Sequence, residues 1–195
     1  ELELTPAAAG MPGAISRAAE LVATTPGAVQ PSQFENPANP EIHRKTTAQE
    51  LWDDSNGKID ILVAAVGTGG TISGVGRYFK EHRPEVLIVG ADPEGSVYTE
   101  DADHPLGPYL VEGIGKDTLP STMSPEAAAE WVRASDRDSF LTARRLAREE
   151  GMFCGVSSGG ACAVALRISR EVENATIAFI ACDRGDRYLS TGVFA

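Results

Sequence analysis

The chain has 195 residues, 42% of them hydrophobic and only 6% aromatic, with a formal net charge of −11. That length supports one substantial core or one and a half small ones, and the composition is that of a globular α/β protein. The acidic balance argues against nucleic acid or an anionic membrane as partner, and no apolar run approaches the ~20 residues of a bilayer span.

In chain order, Glu1–Thr5 reads as a short strand, without a basic flank or an initiator Met. No signal peptide is read there, and the start has the texture of the interior of a longer protein. Ala9–Thr24 has helical spacing through Ile15, Ala18, Ala19, Leu21 and Val22, and Ala28–Gln30 reads as a second short strand. Residues 1–32 thus form one β-α-β piece. Gln33-Phe34-Glu35-Asn36-Pro37-Ala38-Asn39-Pro40 carries two Asn-Pro pairs, which disfavour helix and mark a domain crossover. The second domain is then residues 33–195, beginning with a helix over His43–Trp52.

Ile59–Val66 reads as a buried strand, Ile72–His82 as a helix ended by Pro84, and Val86–Ala91 as another buried strand. Asp92–Leu119 is loop-rich. A helix is expected from Ser124 to Ala129 or Trp131, with Trp131–Ala134 open to a strand reading instead. Asp136–Glu150 is an amphipathic helix with Phe140, Leu141 and Leu146 on its apolar side. A further helix follows over Ala161–Arg170, and Thr176–Cys182 is the last core strand. This alternation predicts an α/β fold: an open, mostly parallel sheet with helices on both faces, plus the terminal β-α-β piece. Cys154, Cys162 and Cys182 contain no CxxC and read as small core residues in a reducing, cytoplasmic setting. His43, His82 and His104 lack ligand spacing, so no metal is expected.

Two glycine-rich turns carry the chemistry. Gly67-Thr68-Gly69-Gly70-Thr71 lies between a strand and a helix, where free backbone N–H groups, the helix dipole and two hydroxyls suit a phosphate. No Lys follows the glycines and the spacing is not GxGxxG, so neither a P-loop nor a dinucleotide site is read. On spacing alone, a turn that merely packs closely stays open. The second turn, Gly155-Val156-Ser157-Ser158-Gly159-Gly160, places hydroxyls at a helix start, either as caps or as ligand donors. Both turns are read as following strands, so both would face one crevice at the carboxyl ends of the sheet.

The pairing of GTGGT with a later GVSSGG, together with QFENPANPEIH and VEGIG, resembles the pyridoxal-phosphate enzymes of the cysteine synthase and cystathionine β-synthase family. The resemblance covers essentially the whole chain. Gly90–Tyr98 and Tyr109–Gly113 are most similar to cystathionine β-synthase, whereas Glu150–Ser158 and Cys182–Gly192 are closer to cysteine synthase, especially its B isoform. It implies that Gly67, Thr68, Gly69, Gly70 and Thr71 grip the phosphate of pyridoxal phosphate and that Ser157 bonds the pyridine nitrogen. Gln33 would help bind the substrate α-carboxylate, Gly113 and Gly115 would line the substrate entrance, and Asp183 would lie near the ring. Bland alternatives stand beside these. Gln33 would tie down the crossover, the two glycines would be turn residues, and Asp183 would pair with Arg184 or Arg187.

The implied activity is β-replacement on serine or O-acetylserine by a thiol or sulfide, giving cystathionine or cysteine, with the cystathionine reading slightly preferred. A cytoplasmic homodimer is implied for the full-length protein. The family's Schiff-base lysine with its Asp-Arg, and its TSGNTG-like loop, are not found here. Lys45, Lys58, Lys80 and Lys116 sit in other contexts. The chain is therefore expected to hold no catalytic lysine and to correspond to an N-terminally truncated core. The competing reading is a phosphate-binding fragment without chemistry.

Overall fold

The computed structural model describes residues 2–195. The chain divides into a first unit ending at Gln33 and a second spanning Phe34–Ala195. In the first unit, helix α1 (Gly10–Thr24) follows a single 3-10 turn at Ala7–Ala9. Arg17 on α1 ties back to Glu3 and Glu20. The strands expected at Glu1–Thr5 and Ala28–Gln30 do not form among the described residues. A strand requires a hydrogen-bonded neighbour, and no segment supplies a ladder to either.

The second unit is a four-stranded, fully parallel sheet in the order β3-β2-β1-β4. The strands are β1 (Ile61–Ala65), β2 (Leu87–Pro93), β3 (Glu130–Ala134) and β4 (Ile177–Phe179). Alternation along β1 assigns the two faces. Leu62 and Ala64 meet Ala48, Trp52, Ile72, Val75 and Phe79 from helices α3 (Thr47–Asp54) and α4 (Gly70–His82). Ile61 and Val63, with Val89 and Ala91 of β2, meet Ala161, Val164 and Ala165 of helix α6 (Val156–Ile168). The open, parallel α/β architecture read from the sequence is therefore the fold observed. Burial on both faces explains why β1 and β2 read as continuous apolar runs rather than alternating ones.

Several boundaries differ from expectation. The predicted helix over His43–Trp52 is two helices, α2 (Ala38–Lys45) and α3, broken at Thr46. Helix α2 also takes in Asn39-Pro40, where the two Asn-Pro pairs predict an irregular segment. Pro40 sits in the first helical turn, where a missing N–H costs nothing. The helix expected from Ser124 is only a 3-10 turn at Pro125–Ala127, and the strand alternative holds over Glu130–Ala134. Helix α5 (Asp136–Glu149) starts where Ser135 Oγ accepts from Asp138 N at 3.1 Å. Its buried stripe is Ser139, Thr142, Ala143 and Leu146, whereas Leu141 is exposed. Small residues face inward because α5 lies close along α6, and a Cβ on Gly159 would strike Ser139 O and Ala143. The turn before α6 follows helix α5 rather than a strand. Among the described residues, its ladder contact is the single antiparallel bridge Cys154–Arg184.

Helix α2 lies along α4 at equally close range, and a Cβ on Gly74 would meet Pro40 O, Arg44 N at 2.8 Å and His43 Cβ at 2.8 Å. Gly74→Ala is expected to force these helices apart and to destabilise the unit by about 1–3 kcal/mol, as read by urea unfolding. Asp92, at the end of β2, is fully buried; one carboxylate oxygen accepts from Thr99 Oγ1 at 3.0 Å and the other has no partner. Burial pushes its carboxyl up to about 6. A carboxyl raised above its unfolded value near 3.9 favours the fold below that pH, and the advantage is lost as pH rises through about 6. Asp92→Asn should therefore be more stable than the parent at pH 7, by up to about 3 kcal/mol, with the difference vanishing near pH 4 in paired denaturation curves.

Candidate functional site

Strand β1 has β2 on one side and β4 on the other. The chain leaves β1 through α4 toward β2 and β3, then crosses back through α5 and α6 to β4. The chain thus leaves β1 toward β2 and enters β4 on the opposite side of β1, and a parallel sheet opens a crevice at such a switch point. A cleft of about 220 Å³ lies there. It is lined by the whole Gly67–Thr71 loop and by Gly113 and Ile114 from the long connection after β2. Ser157 near the start of α6, and Cys182, Asp183 and Tyr188 after β4, complete it.

The loop's polarity follows from where its carbonyls go. Val66 O accepts from Gly115 N at 2.8 Å, Gly67 O from Tyr98 OH at 2.7 Å, Thr68 O from Thr122 Oγ1 at 2.7 Å and Gly69 O from Ser73 N at 2.9 Å. Four successive acceptors are thus occupied by the protein. The amides of Thr71 and Ile72, in the first turn of α4, meet no backbone carbonyl. Thr68 Oγ1 accepts from Asn39 Nδ2 at 3.1 Å and Gly70 N at 3.2 Å, which leaves its own proton to donate. The cleft therefore meets donors at the positive end of a 13-residue helix.

The glycines serve this arrangement from behind. Gly69 is left-handed at φ 79°, and a Cβ there would strike Met123. One on Gly70 would strike Asn39, and one on Gly67 would lie 2.6 Å from Gly113 O. The close-packing and phosphate readings of this loop are thus not rivals.

Ser157 is 4% exposed and is the second residue of α6. Gly155 is the N-cap and no side chain caps the helix, so Ser157 is not a cap. Among the described residues its hydroxyl meets no partner. Asp183 is joined to this turn, since its carbonyl accepts from Gly155 N at 3.0 Å. Its Oδ2 accepts from Tyr188 OH at 2.8 Å, while Oδ1 is buried without a partner. The expected alternative pairing with Arg184 or Arg187 is not made; Arg184 pairs with Asp186 instead. Burial and the adjacent Asp183 carboxylate hold the Tyr188 phenol well above its usual range.

Gly113, at φ 85°, lines the cleft. Gly115 does not. Its left-handed backbone and the nearby Pro93 and Tyr109 make it a turn glycine whose amide holds Val66 O. Gln33 ends the first unit and is described with that unit alone. Cys154 and Cys162 are buried as expected, but Cys182 is exposed and faces the cleft. None of the four lysines lines it. Among the described residues, no group of three His, Cys, Asp or Glu is placed to hold a metal ion, and no helix is long and apolar enough to cross a membrane.

Sequence reading passed over Tyr98, Thr122, Asn39, His43, Asp136 and Tyr188. Asp136 accepts from Leu110 N at 2.9 Å and Val111 N at 3.0 Å, fixing the strand of chain that leads to Gly113. Asn39 and His43 lay inside QFENPANPEIH, and the two proline pairs drew attention to chain direction rather than to side-chain chemistry. Tyr98, Thr122 and Tyr188 carry no local signal, because their partners are distant or defined only by the turn.

These residues fit pyridoxal phosphate. Outward amides and the Thr68 hydroxyl suit a phosphate, with no carboxylate in the loop to repel it. The unpartnered Ser157 hydroxyl suits a ring nitrogen.

Comparison with known proteins agrees. The family model for pyridoxal-phosphate dependent enzymes matches residues 2–183. Cysteine synthase A of Escherichia coli (strain K12) is 40% identical over 203 residues, covering 100% of this chain, and cysteine synthase A of Salmonella typhi is similar to the same degree. The chain spans 63% of the length of these curated relatives. The solved O-acetylserine dependent cystathionine beta-synthase from Helicobacter pylori aligns with TM-score 0.89 and 34% identity over 98% of this chain and 62% of that one. A solved O-ureido-L-serine synthase aligns with TM-score 0.89 and 35% identity over 100% of this chain and 61% of that one. The motifs gathered in one cleft, the fold and these matches all lead to one conclusion: the chain belongs to the pyridoxal-phosphate dependent enzyme family, on its cysteine synthase and cystathionine β-synthase branch.

Proposed function

We propose that the protein to which this chain belongs catalyses β-replacement on O-acetylserine or serine, with sulfide or a thiol as the incoming nucleophile. The observation that carries this reading is the meeting of Gly67–Thr71, Gly113, Ser157 and Asp183 at one cleft on the β1/β4 switch point. Bound there, pyridoxal phosphate supplies the electron sink that lets a β-substituent leave an amino acid and a nucleophile replace it. The loop amides and the Thr68 hydroxyl hold the phosphate. Ser157 bonds the ring nitrogen through a neutral hydroxyl, which does not stabilise a protonated ring as a carboxylate would. That weaker sink favours elimination over transamination. Tyr188 holds Asp183 by Oδ2, while Oδ1 packs against Gly155.

The domain reading belongs to the same proposal. Residues 1–32 are the end of a small domain and residues 33–195 the large cofactor domain, in which Gln33 would help bind the substrate carboxylate. So do a homodimer and a cytoplasmic location for the full-length protein. On product, O-acetylserine is the preferred donor, since it is named for the structurally similar cystathionine beta-synthase. Cystathionine rests on Gly90–Tyr98 and cysteine on the segment ending at Gly192.

The full-length protein, assayed with O-acetylserine or serine and with sulfide or homocysteine, should release acetate or water and form cysteine or cystathionine. No product from any pairing overturns the reading. On the chain itself, pyridoxal phosphate should raise the thermal midpoint, whereas pyridoxal without phosphate and ATP should not. Equal protection by ATP would favour a nucleotide site instead. Ser157→Ala in the full-length protein should slow turnover on the order of ten-fold or more while retaining cofactor nearly as well as the parent. Lost cofactor with unchanged turnover per bound cofactor would remove Ser157 from its assigned place.

A further inference from the structure

The second hydroxyl of the phosphate loop, Thr71 Oγ1, has one protein partner, and that partner is ambivalent. It lies 3.3 Å from Nε2 of His43 on α2. The other ring nitrogen, Nδ1, lies 2.8 Å from Oγ1 of Thr47, the first residue of α3. His43 is held in place from behind, since its Cβ sits where a side chain at Gly74 would go. The ring is partly buried, and burial lowers its basicity, so near neutral pH it carries one N–H and one lone pair.

Two arrangements satisfy both contacts. In the first, Nδ1–H donates to Thr47 Oγ1, and Nε2 accepts the Thr71 hydroxyl proton. Thr71 then shows the cleft only lone pairs, which repel an anion. In the second, Nε2–H donates to Thr71 Oγ1, and the Thr71 proton is released toward the cleft. Thr47 then turns to donate its own proton to Nδ1. The heavy atoms hardly move, yet the loop gains a donor. We propose that His43 is a positioning residue for the phosphate loop. An anion held by Gly67–Thr71 selects the Nε2–H tautomer, with Thr47 and Thr71 rotating together. This rests on the phosphate reading of the loop and deepens it. The coupling is reciprocal, so whatever fixes the Nε2–H tautomer also tightens the anion.

The test is nitrogen NMR of the full 195-residue chain carrying 15N-labelled histidine and labelled backbone amides. It is titrated first with inorganic phosphate and then with pyridoxal phosphate. The expected result is movement of the Gly67–Ile72 amides together with a bound state in which His43 Nε2 is protonated and Nδ1 is not. Loop amides that move while His43 stays in, or shifts to, the Nδ1–H form overturn this inference and leave the phosphate loop standing. Loop amides unmoved by both ligands overturn the phosphate reading and this inference with it. A double-mutant cycle gives an independent readout. His43→Phe should weaken pyridoxal phosphate on the order of ten-fold, and the effect should largely disappear in a Thr71→Val background. His43→Gln, whose amide can donate to Thr71, should recover most of the affinity. An equal loss in both backgrounds means that His43 acts only by packing.

Discussion

The structure depends on the fate of four consecutive carbonyl groups. Val66 to Gly69 surrender every carbonyl oxygen to a donor elsewhere in the protein: an amide at Gly115, a phenol at Tyr98, a hydroxyl at Thr122 and an amide at Ser73. A peptide unit points its N–H opposite its C=O, so anchoring these acceptors sets the directions of the Gly67–Gly70 amides, the last of which donates to Thr68 Oγ1. Without those anchors, a glycine-rich segment would sample conformations of both signs and show a ligand a mixture of donors and acceptors. The sheet supplies the place, but the anchors supply the charge pattern.

The sheet's contribution is topological. Because β4 joins on the far side of β1 from β2, residues more than a hundred positions apart in the chain share one crevice. The antiparallel bridge between Cys154 and Arg184, with Gly155 N on Asp183 O, fixes the second half of the cleft to the segment after β4. Gly155 has no side chain because Asp183 occupies the space one would need. A close backbone approach and a buried carboxylate are thus two aspects of one contact.

Much of this was legible in the sequence. The β1 and β2 runs, the two glycine turns and the motif pairing led to the parallel sheet and the cofactor class, because each is a local pattern with a physical cause. The failures also have causes. The strands expected in the first 32 residues depended on ladder partners that no local pattern guarantees. Leu141 was assigned inward by hydrophobicity, but close packing of α5 on α6 selected Ser139, Thr142 and Ala143 instead. Helix α2 ran through Asn39-Pro40 because the rule against proline weakens in a first turn. Gly115 holds Val66 O through its amide, one layer behind the loop. Residues that shape a site from behind leave little trace in a motif, since their partners are set by tertiary structure.

The anchors of the loop also determine when the site exists. Tyr98 and Thr122 reach back 31 and 54 positions to their carbonyls, and Asn39 reaches forward 29 to Thr68. All three must be docked before the amides are aligned, so the loop is among the last features to be completed as the unit folds. The same dependence runs in reverse. If the connection carrying Tyr98, Gly115 and Thr122 opens locally, the loop loses three of its four anchors while the parallel sheet stays intact. A ligand on the loop is then energetically linked to a stretch of chain that it does not touch throughout. Occupancy of the cleft should shield residues 94–123 from protease and from amide exchange, so that the cofactor serves as a clasp for the longest irregular segment of the fold.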